Sequence, residues 1–206
     1  MVIGDIIENY QKTDNIIFDV QNLFLKYGKM HILEHSKNVS LKAVQLAHRF
    51  SVDSDKVIIA SYLHDISGVI GDNEKIKFSE SLGIDILDEE RSFPLIIHQK
   101  LSKEISERIF GIQDKDILQA ISCHTTLCSN PSKLDMVLFI SDKIAWDQSG
   151  EPPYLKIIEE NIEHSLEEGI SSFLQYLMDN KNNLKVVHPW LIEAHEYFIR
   201  LKKGYG

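Results

Sequence analysis

The chain has 206 residues, 43% hydrophobic and 26% charged, the composition of an ordinary globular polypeptide with ample material for a buried core. Its 22 basic and 31 acidic residues leave a formal net charge of −9, the wrong sign for binding by neutralising a phosphate backbone, so duplex nucleic acid is not expected as a partner. A small phosphorylated ligand stays open, because bound metal ions can be the largest local charges in a site. The segment Met1-Val-Ile-Gly-Asp-Ile-Ile-Glu places acidic groups where a signal peptide carries basic ones, and apolar runs such as 136–140 fall far short of the ~20 residues that cross a bilayer. A cytoplasmic protein with no membrane association is expected. Two cysteines, Cys123 and Cys128, cannot make a disulfide framework. They read as reduced, buried small hydrophobes, with zinc as the alternative that the C-x4-C spacing beside His124 offers.

Apolar spacing is helical nearly throughout. Past His35, residues Val39, Ala43, Leu46, Ala47 and Phe50 recur at three- and four-residue intervals and share one helix face. The stretch from Ser54 to Ile66 opens on a candidate N-cap and is apolar almost all round, which predicts a helix through the middle of a core with His64 and Asp65 at its C-terminal end. Gly68, Gly71, Asp72 and Asn73 mark a loop, and a mixed polar segment, 74–91, leads to a boundary at Phe93-Pro94. A helix follows from Pro94 or Ser102 to Phe110, with Gly111 past its end. Asp114 caps the next, which runs through Ile117, Leu118, Ala120 and Ile121 and closes at His124. Asn130-Pro131-Ser132 makes a turn and cap, with Asp135 completing an approximate capping box, ahead of a helix from Leu134 to Ala145 that carries Asp142.

Residues 150–153 break that helix, and Tyr154, Leu155, Ile157, Ile158, Ile162, Leu166 and Ile170 resume an amphipathic pattern. Trp190, Leu191, Ala194, Tyr197, Phe198 and Leu201 make a last helix, as apt for a homodimer interface as for the core. No sustained strand alternation, repeat or low-complexity tract interrupts the series. The expected fold is all-α, a single domain over 1–206 with its motif-bearing core at about 30–148 and C-terminal helices over 154–203.

The chemistry-bearing residues are the adjacent pair His64-Asp65, with His35 upstream and His98, His124 and Asp142 downstream. Imidazole and carboxylate are ligands that first-row divalent transition metals accept. Neighbours on a helix point about 100° apart, so His64 and Asp65 can reach different parts of one centre, or Asp65 can bridge two ions while His64 holds one. Taken singly, each histidine also reads as a packed or surface side chain.

The order His35, His64-Asp65, Asp142, with His98 and His124 between, resembles the HD superfamily of metal-dependent phosphohydrolases. With Glu34-His35 and Val39, Leu63-His64-Asp65-Ile66, Ala120-Ile121, His124-Thr125-Thr126 and 139–144, it looks closest to the bacterial YqeK-like branch, whose members hydrolyse diadenosine tetraphosphate symmetrically to two ADP. The resemblance covers roughly Met30 to Gln148. It implies a helical HD bundle in which His35, His64, Asp65 and Asp142 hold one metal and Asp65 bridges to a second held by His98 and His124. A hydroxide between two divalent ions, iron or manganese, then attacks phosphorus, with His64 and Asp65 at the heart of the catalysis. Relatives of that branch commonly have Arg at the position of Ile32, Lys at Gly68, Gly at Leu127, and Glu-Pro-x-Arg in place of Ala145-Trp146-Asp147-Gln148.

Lys103, Thr125 and Lys143 stand close in sequence to the ligand positions and are the expected phosphate contacts, with Trp146 the aromatic candidate to stack on a base. Two other readings compete. The chain can be a regulatory module that binds a nucleotide at its metal centre without turnover. His31-Ile32-Leu33-Glu34-His35 also matches the H-x-x-E-H signature of inverted zinc proteases, although that leaves His64, Asp65, His98, His124 and Asp142 without a role. His31, His164, His188 and His195 are expected to be dispensable.

Overall fold

The computed structural model describes residues 10, 12–146 and 149–204, so Asp147 and Gln148 lie outside the described residues. Among the described residues the regular structure is entirely helical, as the periodicity predicts. The chain runs through α1 (Ile16–Lys26), α2 (Met30–Phe50), α3 (Ser54–Leu63), α4 (Lys75–Ser81), α5 (Asp88–Ser92) and α6 (His98–Arg108). It continues with α7 (Lys115–Cys123), α8 (Lys133–Ile144), α9 (Leu155–Ile162), α10 (Leu166–Asp179) and α11 (Pro189–Lys202). No described helix is long and apolar enough to cross a membrane.

Capping side chains set the boundaries. Asp114 Oδ1 accepts from the amides of Asp116 and Ile117 at the start of α7, and Ser132 and Asp135 form the full capping box of α8. The cap of α3 is Asp53 rather than Ser54: its extended backbone turns the carboxylate onto the amides of Asp55 and Lys56, which makes Ser54 the first helical residue. That helix ends at Leu63, not Ile66, and a 3₁₀ turn over Ile66–Val69 follows. Two short helices, α4 and α5, occupy the segment read as mixed polar, because seven and five residues are too few to show a periodicity. The helix expected from Pro94 is a 3₁₀ turn, Pro94–Ile97, running into α6.

α2 packs on α3 and α8, and α7 packs on both α6 and α8. Residues 134–141 of α8 are all buried, so α8 runs through the core beside α3, where no residue from Lys56 to Ile70 is fully exposed. Phe139 of α8 meets Phe173 of α10 at 5.7 Å between ring centroids. Leu191, Ala194 and Phe198 are buried in the same core, while Trp190 and Tyr197 are half-buried and Leu201 is exposed. The bundle therefore brings the C-terminal ends of α3 and α7, the start of α6 and the last turn of α8 to one region.

Candidate metal centre

Three histidines reach this region by one device. His64 and His124 follow the last residues of α3 and α7, and His98 opens α6 out of its 3₁₀ turn. At each, Nδ1 lies on the carbonyl three residues back: Ser61 at 2.7 Å, Leu95 at 2.7 Å and Ile121 at 2.8 Å. A carbonyl only accepts, so Nδ1 carries a proton and Nε2 is the nitrogen turned inward. For Ser61 and Ile121 these are carbonyls of a last helical turn, where the helix supplies few partners, whereas the Leu95 carbonyl also accepts the His98 backbone N–H.

The carboxylates sit among these nitrogens. Asp65 divides its two oxygens: Oδ1 faces His98 Nε2 at 3.2 Å and His124 Nε2 at 3.5 Å, while Oδ2 faces His64 Nε2 at 3.5 Å and His35 Nε2 at 4.0 Å. Asp142 Oδ1 lies 2.9 Å from His35 Nε2 and 3.7 Å from His64 Nε2. The six residues thus form two adjoining groups that share Asp65.

Two features strain this arrangement without a cation. His98 and His124 bring their Nε2 atoms to 2.9 Å, and with both Nδ1 atoms donating to carbonyls the two lone pairs meet unless one ring is charged. His64 Nε2 is buried and has no hydrogen-bond partner. Burial lowers the affinity of the His64 imidazole for a proton, yet the nearby charges of Asp65 and Asp142 outweigh it and push the pKa up to about 9. Burial dominates at His124, aided by His98 and His64, and lowers it to about 4. Asp65 is held well below the usual carboxylate range because His64, His124 and His98 overcome its burial, and Lys143, His35 and His64 do the same for Asp142. Inward-facing imidazole nitrogens beside ionised carboxylates fit divalent transition ions, since a cation removes the lone-pair conflict and gives His64 Nε2 a partner.

A cavity of about 380 Å³ opens onto Asp65 and His98, walled by Ile32, Gly68, Phe93, Ile96 and Thr125, with Lys75 at its edge. A Cβ added to Gly68 would come within 2.3 Å of Ile32 Cδ1, so Ile32 occupies the room a side chain there would need. The adjoining groove shares Phe93, Ile96 and Thr125 and adds Trp146, Leu184 and Lys185.

Of the expected substrate contacts, Thr125 stands at the centre, its Oγ1 3.1 Å from His98 Nε2. Lys143 Nζ pairs with Asp142 Oδ2 at 2.6 Å, and Trp146, on the groove wall, meets Tyr154 edge-on at 6.2 Å. Lys103 is not brought to this cavity; it pairs with Glu104 and Glu107 and lines a different groove with Lys100 and Arg108. Sequence reasoning passed over Lys75, whose buried ammonium donates to the Ile70 carbonyl and to Asp72; the only signal was a lysine three residues after an acid. His31 is exposed and Glu34 pairs with Lys37 in solvent, so the H-x-x-E-H residues do not converge. His188 is not among the clustered residues: it is buried, caps α11 through Nδ1 and faces Glu90 at 3.3 Å.

Comparison with known proteins agrees with this geometry. The model of the HD domain matches residues 32–147, more than half of the chain. An uncharacterized protein from the pepC 5' region of Lactococcus lactis subsp. cremoris is 39% identical over 143 residues, 69% of this chain and 72% of that protein. A symmetrical bis(5'-nucleosyl)-tetraphosphatase of Bacillus subtilis is 29% identical over 174 residues, 80% of this chain and 91% of the enzyme. The crystal structure of a predicted HD superfamily hydrolase involved in NAD metabolism from Clostridium acetobutylicum shares the fold, with a TM-score of 0.78 at 24% identity over 93% of this chain and 99% of that one. Sequence, helix order and the clustered histidines and aspartates converge on one assignment: the chain belongs to the HD domain family.

Proposed function

We propose that the chain is a metal-dependent phosphohydrolase that cleaves a phosphoanhydride bond of a nucleotide, with diadenosine tetraphosphate, split to two ADP, as its substrate. The observation that carries the reading is the division of Asp65, one carboxylate oxygen toward His98 and His124 and the other toward His64 and His35. On this reading His35, His64, Asp65 and Asp142 would hold one divalent ion, and Asp65, His98 and His124 would hold a second. Iron and manganese suit such a nitrogen and oxygen shell. A pair of such ions supplies Lewis acidity, which neutralises charge on phosphoryl oxygens and makes water nucleophilic near neutral pH.

The remaining work falls to the chain itself. The carbonyls of Ser61, Leu95 and Ile121 keep the proton on Nδ1 of each histidine and leave Nε2 free. Lys143 holds Asp142 ionised, while Thr125 Oγ1 is a hydroxyl donor beside His98. Lys75, on the cavity that opens to Asp65, is the cation for an outer phosphate. Ile32, Phe93 and Ile96 exclude water from that side, and Trp146 offers a face for a base in the adjoining groove. The described helices act as one HD-type domain on this reading, supported by the common core. The substrate comes from the name of the Bacillus subtilis relative.

The test is release of product from diadenosine tetraphosphate by metal-stripped protein reloaded with Mn²⁺ or Fe²⁺, resolved by anion-exchange chromatography. ADP as sole product, with no ATP or AMP, is expected. Turnover of other nucleotides alone removes the substrate and keeps the chemistry. Nucleotide binding with no hydrolysis under any metal replaces the enzyme by a binding module, a reading that the apolar Ile32 and Gly68 wall favours.

A further inference from the structure

A second cluster of ligand-type side chains lies on the far side of His124 from the centre described above. Cys123 is the last residue of α7, Cys128 lies in the loop that follows, and Asp135 stands in the first turn of α8. The two sulfurs and a carboxylate oxygen all fall within 4.8 Å of one another. Both cysteines are free thiols, Cys123 buried and Cys128 partly accessible.

The observation that asks for a ligand is at Asp135. Only 2% of the residue is exposed, and its Oδ2 is used by the α8 capping box, accepting from the Ser132 amide at 2.8 Å. Its Oδ1 is buried with no hydrogen-bond partner. A carboxylate oxygen in that condition is costly, and burial accordingly raises the Asp135 carboxyl above its usual range. A disulfide between the cysteines would leave Oδ1 as orphaned as before, whereas a cation would satisfy it. Gln119 Nε2 lies 3.6 Å from Cys128 Sγ and 4.0 Å from Cys123 Sγ, a donor poised toward thiolate charge.

We propose that Cys123, Cys128 and Asp135 form a mononuclear site for a thiophilic divalent cation, Zn²⁺ by its ligand set, separate from the histidine and aspartate centre. Thiolate ligands select zinc over iron or manganese, which the nitrogen and oxygen centre suits. Sulfur atoms on a tetrahedral zinc ion lie about 3.8 Å apart at a Zn–S distance of about 2.3 Å, so the ligands need to close by only about 1 Å. Three protein ligands leave the fourth position to water on the accessible Cys128 side. The ion would fasten the end of α7, which presents His124, to the start of α8, which presents Asp142.

The experiment uses untagged full-length protein with its histidine and aspartate centre loaded with Mn²⁺, kept under a phosphine reductant and titrated with Co²⁺. Sulfur-to-cobalt charge-transfer absorption in the near ultraviolet reports thiolate ligation alone, because the other centre has no sulfur. The expected result is a band that saturates at one equivalent, vanishes on addition of Zn²⁺, is lost in Cys128→Ser and moves to higher cobalt concentration in Asp135→Asn. Far-ultraviolet circular dichroism checks the fold of both variants, and zinc protection of both thiols against a thiol reagent gives a second readout on the wild type. Absence of the band at saturating cobalt, its survival in Cys128→Ser, an unchanged titration in Asp135→Asn, or full thiol reactivity with zinc bound would each overturn the site.

Discussion

If the six clustered residues hold two ions as proposed, their loading with metal is expected to depend steeply on pH between 7 and 9. In the metal-free chain the His64 pKa is about 9, because burial is outweighed by the charges of Asp65 and Asp142. At pH 7 the ring is therefore almost fully protonated, and a cation can use Nε2 only after displacing that proton. The displacement costs about 1.4 kcal/mol per pH unit below the pKa, which is about 2.7 kcal/mol at pH 7, or roughly a hundredfold in apparent affinity. His124, with a pKa lowered to about 4, is already neutral and adds nothing in this window. The sign follows for stability as well. A raised histidine pKa stabilises the metal-free fold below about pH 6.5 and loses that contribution as pH climbs through 9, so apo protein weakens over the range in which metal binding strengthens. Competition for Mn²⁺ against a chelator of known pH dependence, measured at half-unit steps, should show apparent affinity rising about tenfold per unit from 7 to 8 and levelling near 9. A flat profile across 7 to 9 would refute the reasoning.

Asp65→Ala should abolish hydrolysis and lower metal content measured by atomic emission, whereas His31→Ala should leave both near wild type; the reverse ranking would restore the protease signature. Gly68→Ala should cost about 1 kcal/mol in urea unfolding, since Ile32 must leave its rotamer to clear a Cβ at 2.3 Å, and Ile32→Val in the same chain should recover it. If the double variant is no better than the single one, the two residues are not coupled. Glu90→Gln should destabilise by about 3 kcal/mol: the fully buried carboxylate pairs with Lys100 Nζ at 2.9 Å and His188 at 3.3 Å and accepts from the Leu87 amide at 2.8 Å. A loss below about 1 kcal/mol in denaturant titration would show that those partners find water instead.

The helices are legible in the sequence, since apolar spacing is a local property, and the six candidate ligands are picked out by the resemblance to the HD family rather than by spacing. What the sequence does not display is anything decided by contact between distant segments. The carbonyl of Leu95 orients His98 only because a 3₁₀ turn ends there, and that turn is invisible to a helical periodicity. Lys103 and Lys75 make the point in opposite senses. Proximity in sequence to His98 suggested Lys103, but the turn of α6 sends it to Glu104 and Glu107, while the loop after α3 folds Lys75 onto the cavity from a segment read as featureless polar chain. His188 lies beyond the motif, and its partner Glu90 is 98 residues away.

Two of the departures from the YqeK-like pattern, Ile32 and Gly68, meet in space. Arg and Lys at the positions of Ile32 and Gly68 would set two cations side by side, an arrangement stable only with an anion between them. Here Ile32 fills the space above Gly68, so that wall holds itself without ligand and the missing side chain is a condition of the contact. Leu127 reads the same way. It keeps φ at +61°, the left-handed conformation for which glycine is suited, and is wholly buried. The strain of about 1–2 kcal/mol is offset by about 1.5–3 kcal/mol from burying the side chain. The backbone path from His124 into the following loop therefore keeps its glycine-like turn while gaining core. Neither change falls on an imidazole or carboxylate of the cluster; both alter the charge and packing around it. In our reading, charge on a bound phosphate must then be met by the metal ions and Lys75, which makes occupancy of the centre, more than any arginine clamp, the determinant of substrate affinity in this chain.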